Sequence, residues 1–249
     1  MASIVVENIS LDYPIYDAGS RSIKNTLLRT VGGQISENQG RINVQALRNI
    51  SLQIHDGDRL AIVGGNGAGK TTLLKVLAGI YEPPIGRVRI SGSISSLTDV
   101  TMGMDLDATG RENIIMRCVF LGMTYREANA NLAEIEEFTE LGPYLSLPIR
   151  TYSTGMLVRL GFAASTASRP QILIMDEMIG AGDMAFAEKA KARVEEYVSG
   201  AHILVLASHN NAILEQFCNR AILLDSGTIR MFGSLEMVLN EYNTISHAK

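Results

Sequence analysis

Two kinds of apolar pattern alternate along this chain, and their order predicts its architecture. Ile4-Val5-Val6 and Ile9-Ser10-Leu11-Asp12-Tyr13 are short strand-like stretches at the N-terminal end. A polar, Gly- and Ser-bearing segment follows from Tyr16 to Gln45 with little apolar periodicity, so residues 14–45 read as an insertion. Within it Ile23, Leu27, Leu28 and Val31 recur at helical spacing beside Arg21, Lys24 and Arg29, which predicts one short, basic, amphipathic helix. Strand signals resume at Ala46-Leu47 and at Ser51-Leu52-Gln53-Ile54. His55-Asp56-Gly57-Asp58 then supplies a turn before the apolar run from Arg59 to Val63.

A glycine cluster follows that run at once, and apolar residues from Thr71 to Leu77 repeat at helical spacing until Gly79 stops them. Residues 86–94 read as a further strand. Thr109-Gly110-Arg111-Glu112 and Thr124-Tyr125-Arg126-Glu127 both match the capping box, in which a threonine and a glutamate satisfy each other's backbone donors, and Gly142-Pro143 is expected to end the second helix. Residues 100–168 therefore read as a helical insertion. Gln171 to Met175 predicts a buried strand, residues 184–198 an amphipathic helix, His202 to Ala207 another buried strand, residues 221–229 a hairpin, and Leu235 to Tyr242 a last helix. Alternating strands and helices imply an α/β fold with a mainly parallel sheet. Its core is expected from residues 1–99 and 169–249, with residues 100–168 as the helical part.

Composition narrows the class. A length of 249 residues with 46% hydrophobic side chains suits one α/β domain with a substantial core. Twenty-two Lys and Arg against 26 Asp and Glu give a net charge of -4, without the basic excess that binds nucleic acid unspecifically. Cys118 and Cys218 lie far apart without metal-ligand spacing, so neither a zinc site nor a disulfide framework is expected. No stretch approaches the roughly 18 to 20 apolar residues that cross a bilayer, and the start lacks a leader pattern, so the expected compartment is the cytosol.

The chemistry concentrates in the glycine cluster. Gly64-Gly65-Asn66-Gly67-Ala68-Gly69-Lys70-Thr71 fits the G-x-x-x-x-G-K-[ST] phosphate loop, with a predicted strand before it and a helix after it. Glycines let the backbone curl so that amide protons point at phosphate oxygens, and the helix aims its positive N-terminus at the same charge. Lys70 can then reach the β and γ phosphates of a nucleotide, and Thr71 can hold Mg2+.

Ile172-Leu173-Ile174-Met175-Asp176-Glu177 is an apolar strand ending in two carboxylates, where a phosphate-loop fold needs an acid near the metal. Asp176 suits Mg2+. Glu177 can polarise the water that attacks the γ-phosphorus. Tyr152-Ser153-Thr154-Gly155-Met156, ahead of a helix through Val158, Leu160 and Phe162, places a hydroxyl and a glycine at a second helix N-terminus suited to an anion.

In their order and spacing, the phosphate loop, the helical insertion, Ser153-Thr154-Gly155-Met156, the Asp176-Glu177 strand, Gly180-Ala181-Gly182-Asp183 and Ser208-His209 resemble the ATP-binding cassette ATPases along nearly the whole chain. The resemblance implies a P-loop core with an N-terminal antiparallel β subdomain and a helical subdomain. It implies that Gly64 to Thr72 bind ATP, and that Tyr152 to Met156 correspond to the signature loop. Ser153, Thr154 and Gly155 would then contact phosphate, Asp183 would be the D-loop aspartate, and His209 the switch histidine at the γ-phosphate. Tyr13 is the aromatic placed to stack on adenine. A head-to-tail dimer is implied, in which one subunit's signature loop closes over ATP held by the other.

Two departures narrow the resemblance. Ser-Thr-Gly-Met stands where the commoner signature has Ser-Gly-Gly-Gln, and Asp99 stands in the segment where the family has a glutamine, as a further metal-site residue. With Thr109-Gly110-Arg111-Glu112-Asn113-Ile114 and the early insertion, these features look like the ATPase subunits of bacterial polysaccharide exporters. That group implies a homodimer on the cytoplasmic face of the inner membrane, a separate permease, a lipid-linked glycan as cargo, and no nucleic acid. Some members carry a C-terminal carbohydrate-binding domain, which a chain ending at Lys249 is expected to lack. The alternatives are an ATPase of the same family serving another transported substrate, and a soluble one acting on DNA or ribosomes; the tandem cassettes, long coiled coils and zinc cysteines usual in the latter are missing.

Overall fold

The computed structural model describes residues 1–15, 34–38, 41–97, 100–176 and 184–247. In chain order these form β1 (Ser3–Ile15), β2 (Gln34–Asn38), β3 (Arg41–His55), β4 (Arg59–Val63), α1 (Lys70–Leu77), β5 (Ile85–Ser91) and β6 (Ile94–Ser96). There follow α2 (Gly110–Phe120), α3 (Tyr125–Thr139), two 3-10 turns (Gly142–Ser146 and Ile149–Thr151), α4 (Thr154–Ser165) and β7 (Ile172–Asp176). The remainder is α5 (Met184–Gly200), β8 (Ile203–Ala207), α6 (Asn211–Phe217), β9 (Arg220–Asp225), β10 (Thr228–Ser234) and α7 (Leu235–His247). The chain divides into two compact units, with residues 1–92, 174–177 and 202–249 in one and the rest in the other.

The first unit holds an antiparallel sheet in the order β2-β3-β1-β5 and the strand order β10-β9-β4-β8 leading to β7. β4 runs parallel to both β8 and β9, whereas β10 returns antiparallel to β9. Every residue of β8 is buried, and β4 is buried from Leu60 onward. Strands covered on both faces need continuous apolar runs, and each Leu, Ile or Val so buried stabilises the fold by about 1.5–3 kcal/mol.

Several elements differ from the sequence expectation. The two N-terminal strand signals are one strand, β1, carrying a register shift between Val6 and Ile9 where Asn8 adopts a left-handed φ of 49°. Ala46-Leu47 and Ser51–Ile54 likewise belong to the single strand β3. The described residues of the expected insertion 14–45 are ladder: Ile15 pairs with Ile42, and Ile35 with Val44. Backbone pairing needs no apolar side chains, so a polar hairpin leaves little hydrophobic signal. The basic helix expected around residues 21–31 lies outside the described residues. Residues 86–94 are not one strand: Gly92, at φ 121°, turns the chain between β5 and β6. Gly142-Pro143 does not end α3, which stops at Thr139 with Glu140 left-handed at its cap.

In the second unit both capping boxes form. Glu112 N–H donates to Thr109 Oγ1 at 3.3 Å while Thr109 N–H donates to Glu112 Oε2 at 2.8 Å, and Thr124 and Glu127 repeat the arrangement at 3.2 and 2.8 Å. Ile114, Cys118, Ile135, Leu145, Leu160 and Ala163 form the core between α2, α3 and α4. The helix 184–200, expected with the parallel core, groups with these helices instead. The Phe186 ring lies 5.6 Å from Phe138 and 6.1 Å from Phe162, and Lys189 donates to Glu140 at 2.8 Å.

Candidate active site

The first unit sets out the phosphate loop as strand, loop and helix. β4 ends at Val63, the loop runs over residues 64–69, and α1 begins at Lys70. Gly69 occupies the N-cap position with φ 104°, and a Cβ there would stand 2.7 Å from the carbonyl oxygen of Ala46. A Cβ at Gly64 would stand 2.3 Å from the carbonyl oxygen of Leu224. The loop is thus pressed between β3 and β9, and only glycine fits at both positions. Gly227 N–H donates to Ala68 O at 3.0 Å, and Arg48 N–H and Nη2 donate to the carbonyls of Gly227 and Ser226, both at 2.8 Å, so the β9–β10 turn braces the loop from behind.

On the outer side Gly65, Asn66 and Gly67 are exposed. Lys70 Nζ folds back over the loop and donates to Gly64 O at 2.7 Å and Gly65 O at 3.0 Å. A loop whose own carbonyls hold the lysine in this way leaves an ammonium, fixed over the backbone curl, to exchange those acceptors for phosphate oxygens. Thr71 Oγ1 donates to Asp176 Oδ2 at 2.7 Å. A hydroxyl and a carboxylate from separate elements, touching beside a phosphate loop, form the hard oxygen donor set that suits Mg2+, which takes one or two protein ligands and fills its shell with phosphate and water.

His209 is exposed two residues beyond β8, whose Ala207 stands opposite Ile62 of the parallel strand β4. That register brings His209 to the sheet end where Gly64 opens the loop. Asn210, next in the chain, caps α6 by accepting from Ala212 N–H at 3.0 Å, and its own N–H donates to Ser208 Oγ at 3.1 Å.

Tyr13 is half-buried on β1, edge-on to Tyr81 with ring centroids 6.0 Å apart, and its hydroxyl is hydrogen-bonded to Thr72 of α1. Burial pushes its hydroxyl pKa up while Thr72 opposes the shift, so the phenol stays protonated at neutral pH. Tyr81 gave no periodic signal in the sequence, and neither did the brace from Arg48. The hairpin turn Ser226-Gly227 was readable; its contact with the phosphate loop was not.

In the second unit Ser153 caps α4 by accepting from Met156 N–H at 3.3 Å, with Ser153 and Thr154 exposed and Gly155 half-buried at the helix start. Tyr152 is buried and donates to Tyr144 O at 2.6 Å, and a Cβ at Gly110 would strike its hydroxyl at 2.4 Å. Thr109-Gly110 thus packs directly under the signature-like loop. Asn113 Nδ2 ties that corner together, donating to Asp105 O and Thr109 O at 2.9 Å each. Asp99, Glu177 and Asp183 lie outside the described residues. Burial raises the Cys118 thiol pKa to about 11 and the Cys218 thiol to about 12, which removes both as nucleophiles near pH 7. Among the described residues no helix is long and apolar enough to cross a membrane.

Comparison with known proteins gives the same direction. The sequence profile of the ABC transporter family matches residues 47–180. The O-antigen export system ATP-binding protein RfbE of Yersinia enterocolitica is 44% identical over 231 residues, 92% of this chain and 97% of that protein. The teichoic acids export ATP-binding protein TagH of Lactococcus lactis is 35% identical over 223 residues, 90% of this chain but 47% of that protein, so the chain spans about half the length of that relative. A solved ATP-binding subunit of an ABC transporter superposes with a TM-score of 0.68 at 20% identity, covering 96% of this chain and 93% of that one. The ATP-binding cassette MJ0796, solved as a dimer with ADP and Pi, gives 0.66 at 20% identity, covering 93% and 98%. At that identity both show the fold. The chain belongs to the ABC transporter ATPases.

Proposed function

We propose that this chain is the ATP-hydrolysing subunit of an exporter of lipid-linked polysaccharide, working as a head-to-tail homodimer beneath a separate permease at the cytoplasmic face of the inner membrane. The observation that carries this reading is the 44% identity along 97% of an O-antigen export ATP-binding protein. The teichoic acid export relatives support the same class of cargo.

Within that reading Lys70 and the amides of Gly64 to Thr72 hold the triphosphate. Thr71, Asp176 and Asp99 hold Mg2+, which when bound neutralises charge on the β and γ phosphates. Glu177 accepts a proton from the attacking water, and His209 donates to the γ-phosphate from the end of β8. Ser153, Thr154 and Gly155 of one subunit present the α4 N-terminus to ATP held by the other, with Asp183 at the subunit boundary. ATP then completes the interface, because each nucleotide meets groups from two chains. Binding favours the closed dimer, and hydrolysis removes the γ-phosphate that joins the halves, which reopens it.

Co-reconstitution of the chain and its permease in vesicles tests this. Expected is ATP turnover stimulated by lipid-linked glycan, with glycan delivered to the opposite leaflet. Turnover indifferent to the glycan, with none exported, overturns the export reading.

A further inference from the structure

Among the described residues of the second unit, the largest side chain shielded almost completely from solvent is an arginine. Arg117 of α2 is 1% exposed. Burying a guanidinium is costly unless its donors are satisfied, so a chain that retains one in a helical core uses its geometry. Arg117 Nε donates to Ser165 Oγ at 3.0 Å, and Nη1 donates to the carbonyl oxygen of Met102. The same side chain therefore holds the last residue of α4 and the segment that follows Asp99.

That segment also meets α4 two turns into the helix. A Cβ at Gly161 would stand 2.3 Å from Val100 O, 2.9 Å from Val100 C and 3.1 Å from the end of the Met104 side chain. The backbone of residue 100 thus lies directly against the outer face of α4 at Gly161, where a side chain would project, a contact no other residue permits. Ser165 is held from a third direction, because Tyr197 Oη of α5 donates to its carbonyl oxygen at 3.1 Å. The helix opened by Ser153 is consequently in fixed register with residues 100–102 and with the helix that follows Asp183.

We propose that Arg117 is a positioning residue for ATP turnover: by clamping Met102 and Ser165 together, it sets the register between the signature helix α4 and residues 100–102, and with it the seat of the α4 N-terminus at Ser153. Arg117 is 1% exposed, so it acts through the segments it holds. Its planar fork serves two acceptors in different directions, which a lysine ammonium on a flexible stem does not reproduce. Gly161 is the second half of the device, since its missing side chain gives the backbone of Val100 its seat. Displacing the register moves the α4 N-terminus at Ser153 while leaving the phosphate loop's own strand, turn and helix unaltered.

The inference rests on the proposed ATPase reading, and the test separates the two. Full-length wild type, Arg117→Met, Arg117→Lys, Ser165→Ala and Gly161→Ala are compared for affinity toward a fluorescent ATP analogue, kcat, KM and thermal midpoint. Ile135→Val serves as a core variant of the same unit. Wild type that hydrolyses no ATP overturns the reading itself. With active wild type, Arg117→Met is expected to bind nucleotide within about twofold of wild type but lose roughly 10- to 10²-fold in kcat, the scale of a misplacement made away from the reacting atoms. Arg117→Lys should recover part of that loss, and Ser165→Ala and Gly161→Ala should lower kcat without changing affinity. Variants that melt earlier while keeping wild-type kcat, as expected for Ile135→Val, overturn the positioning role. If Arg117→Met does not fold, Ser165→Ala and Gly161→Ala decide alone, and unchanged kcat in both overturns the proposal.

Discussion

The hydroxyl of Thr71 donates to Oδ2 of Asp176 at 2.7 Å, joining the second residue of α1 to the last residue of β7 across 105 positions of sequence. Neither residue has reason to meet the other unless the phosphate loop and the acidic strand end converge. Their contact sets two oxygens side by side next to the phosphate loop, a donor pair that would suit a cation there. Thr71→Ala and Asp176→Asn should therefore raise the Mg2+ concentration for half-maximal turnover by at least the roughly 10- to 100-fold that losing an outer-shell partner costs. Titrating Mg2+ at saturating ATP checks it. An unchanged midpoint in both variants would remove the pair from the metal site.

Glu177→Gln keeps the volume and hydrogen-bonding reach of the side chain but loses the proton acceptor. Turnover should fall about 10²- to 10⁴-fold, the usual contribution of a general base, while ATP binding persists and a dimer accumulates. Single-turnover hydrolysis and size-exclusion chromatography with ATP measure the two arms. Hydrolysis at the wild-type rate takes Glu177 out of the catalytic role.

Gly69→Ala tests how tightly the loop is held. The new methyl would meet Ala46 O at 2.7 Å, in a backbone conformation, φ 104°, that side chains rarely adopt. Such strain costs on the order of 1–3 kcal/mol, so the variant should melt several degrees lower and bind ATP weakly. Gly200→Ala is the control, because nothing lies within 4 Å of its added methyl. Equal melting temperatures for both variants would show that the loop yields easily.

What was legible in the sequence follows from the range of the interactions. The phosphate loop and both capping boxes close within a few residues, so Gly69, Thr109-Glu112 and Thr124-Glu127 carry their structure in their spacing. The buried strands β4 and β8 were legible because burial on both faces demands unbroken apolar runs. Asn8 hid the continuity of β1, since a left-handed residue at a register shift interrupts alternation without ending the strand. The grouping of α5 with the helical unit was invisible for a different reason. It depends on Phe138, Phe162 and Phe186 meeting across 48 positions, and each alone is an ordinary core aromatic. In the site the sequence marked Thr71 and Asp176 separately, and only the fold shows their contact.

The two capping boxes make the helical unit acid-sensitive. Hydrogen bonds from the Thr109 backbone and hydroxyl hold the Glu112 carboxyl below its ordinary value of 4.5, and those from the Thr124 hydroxyl and backbone do the same for Glu127. A folded-state pKa below the unfolded one means that the unfolded chain binds protons more readily. The stabilisation is thus complete above about pH 4.5 and is lost as pH falls through the lowered folded values. The double variant Glu112→Gln, Glu127→Gln should show a flatter dependence of melting temperature on pH between neutrality and pH 3 than wild type. Parallel curves for the two proteins would assign the acid sensitivity to other carboxylates.

Tyr13 supplies the prediction that separates base recognition from phosphate recognition. Its ring meets Tyr81 edge-on at 71°, and its hydroxyl is engaged by Thr72, so one ring face can receive a planar base while the hydroxyl stays occupied. Removing the ring by Tyr13→Ala should lower ATP affinity by the roughly 1–3 kcal/mol of a base-on-aromatic stack. Affinity for inorganic tripolyphosphate, which has no base, should not change. Tyr13→Phe retains the ring and loses only the hydroxyl with its links to Thr72 and Tyr81, so its ATP affinity should stay near wild type. Calorimetric titration of both ligands against the three proteins decides the matter: equal weakening toward ATP and tripolyphosphate would mean that Tyr13 acts by bracing α1 through Thr72, and that adenine is held elsewhere.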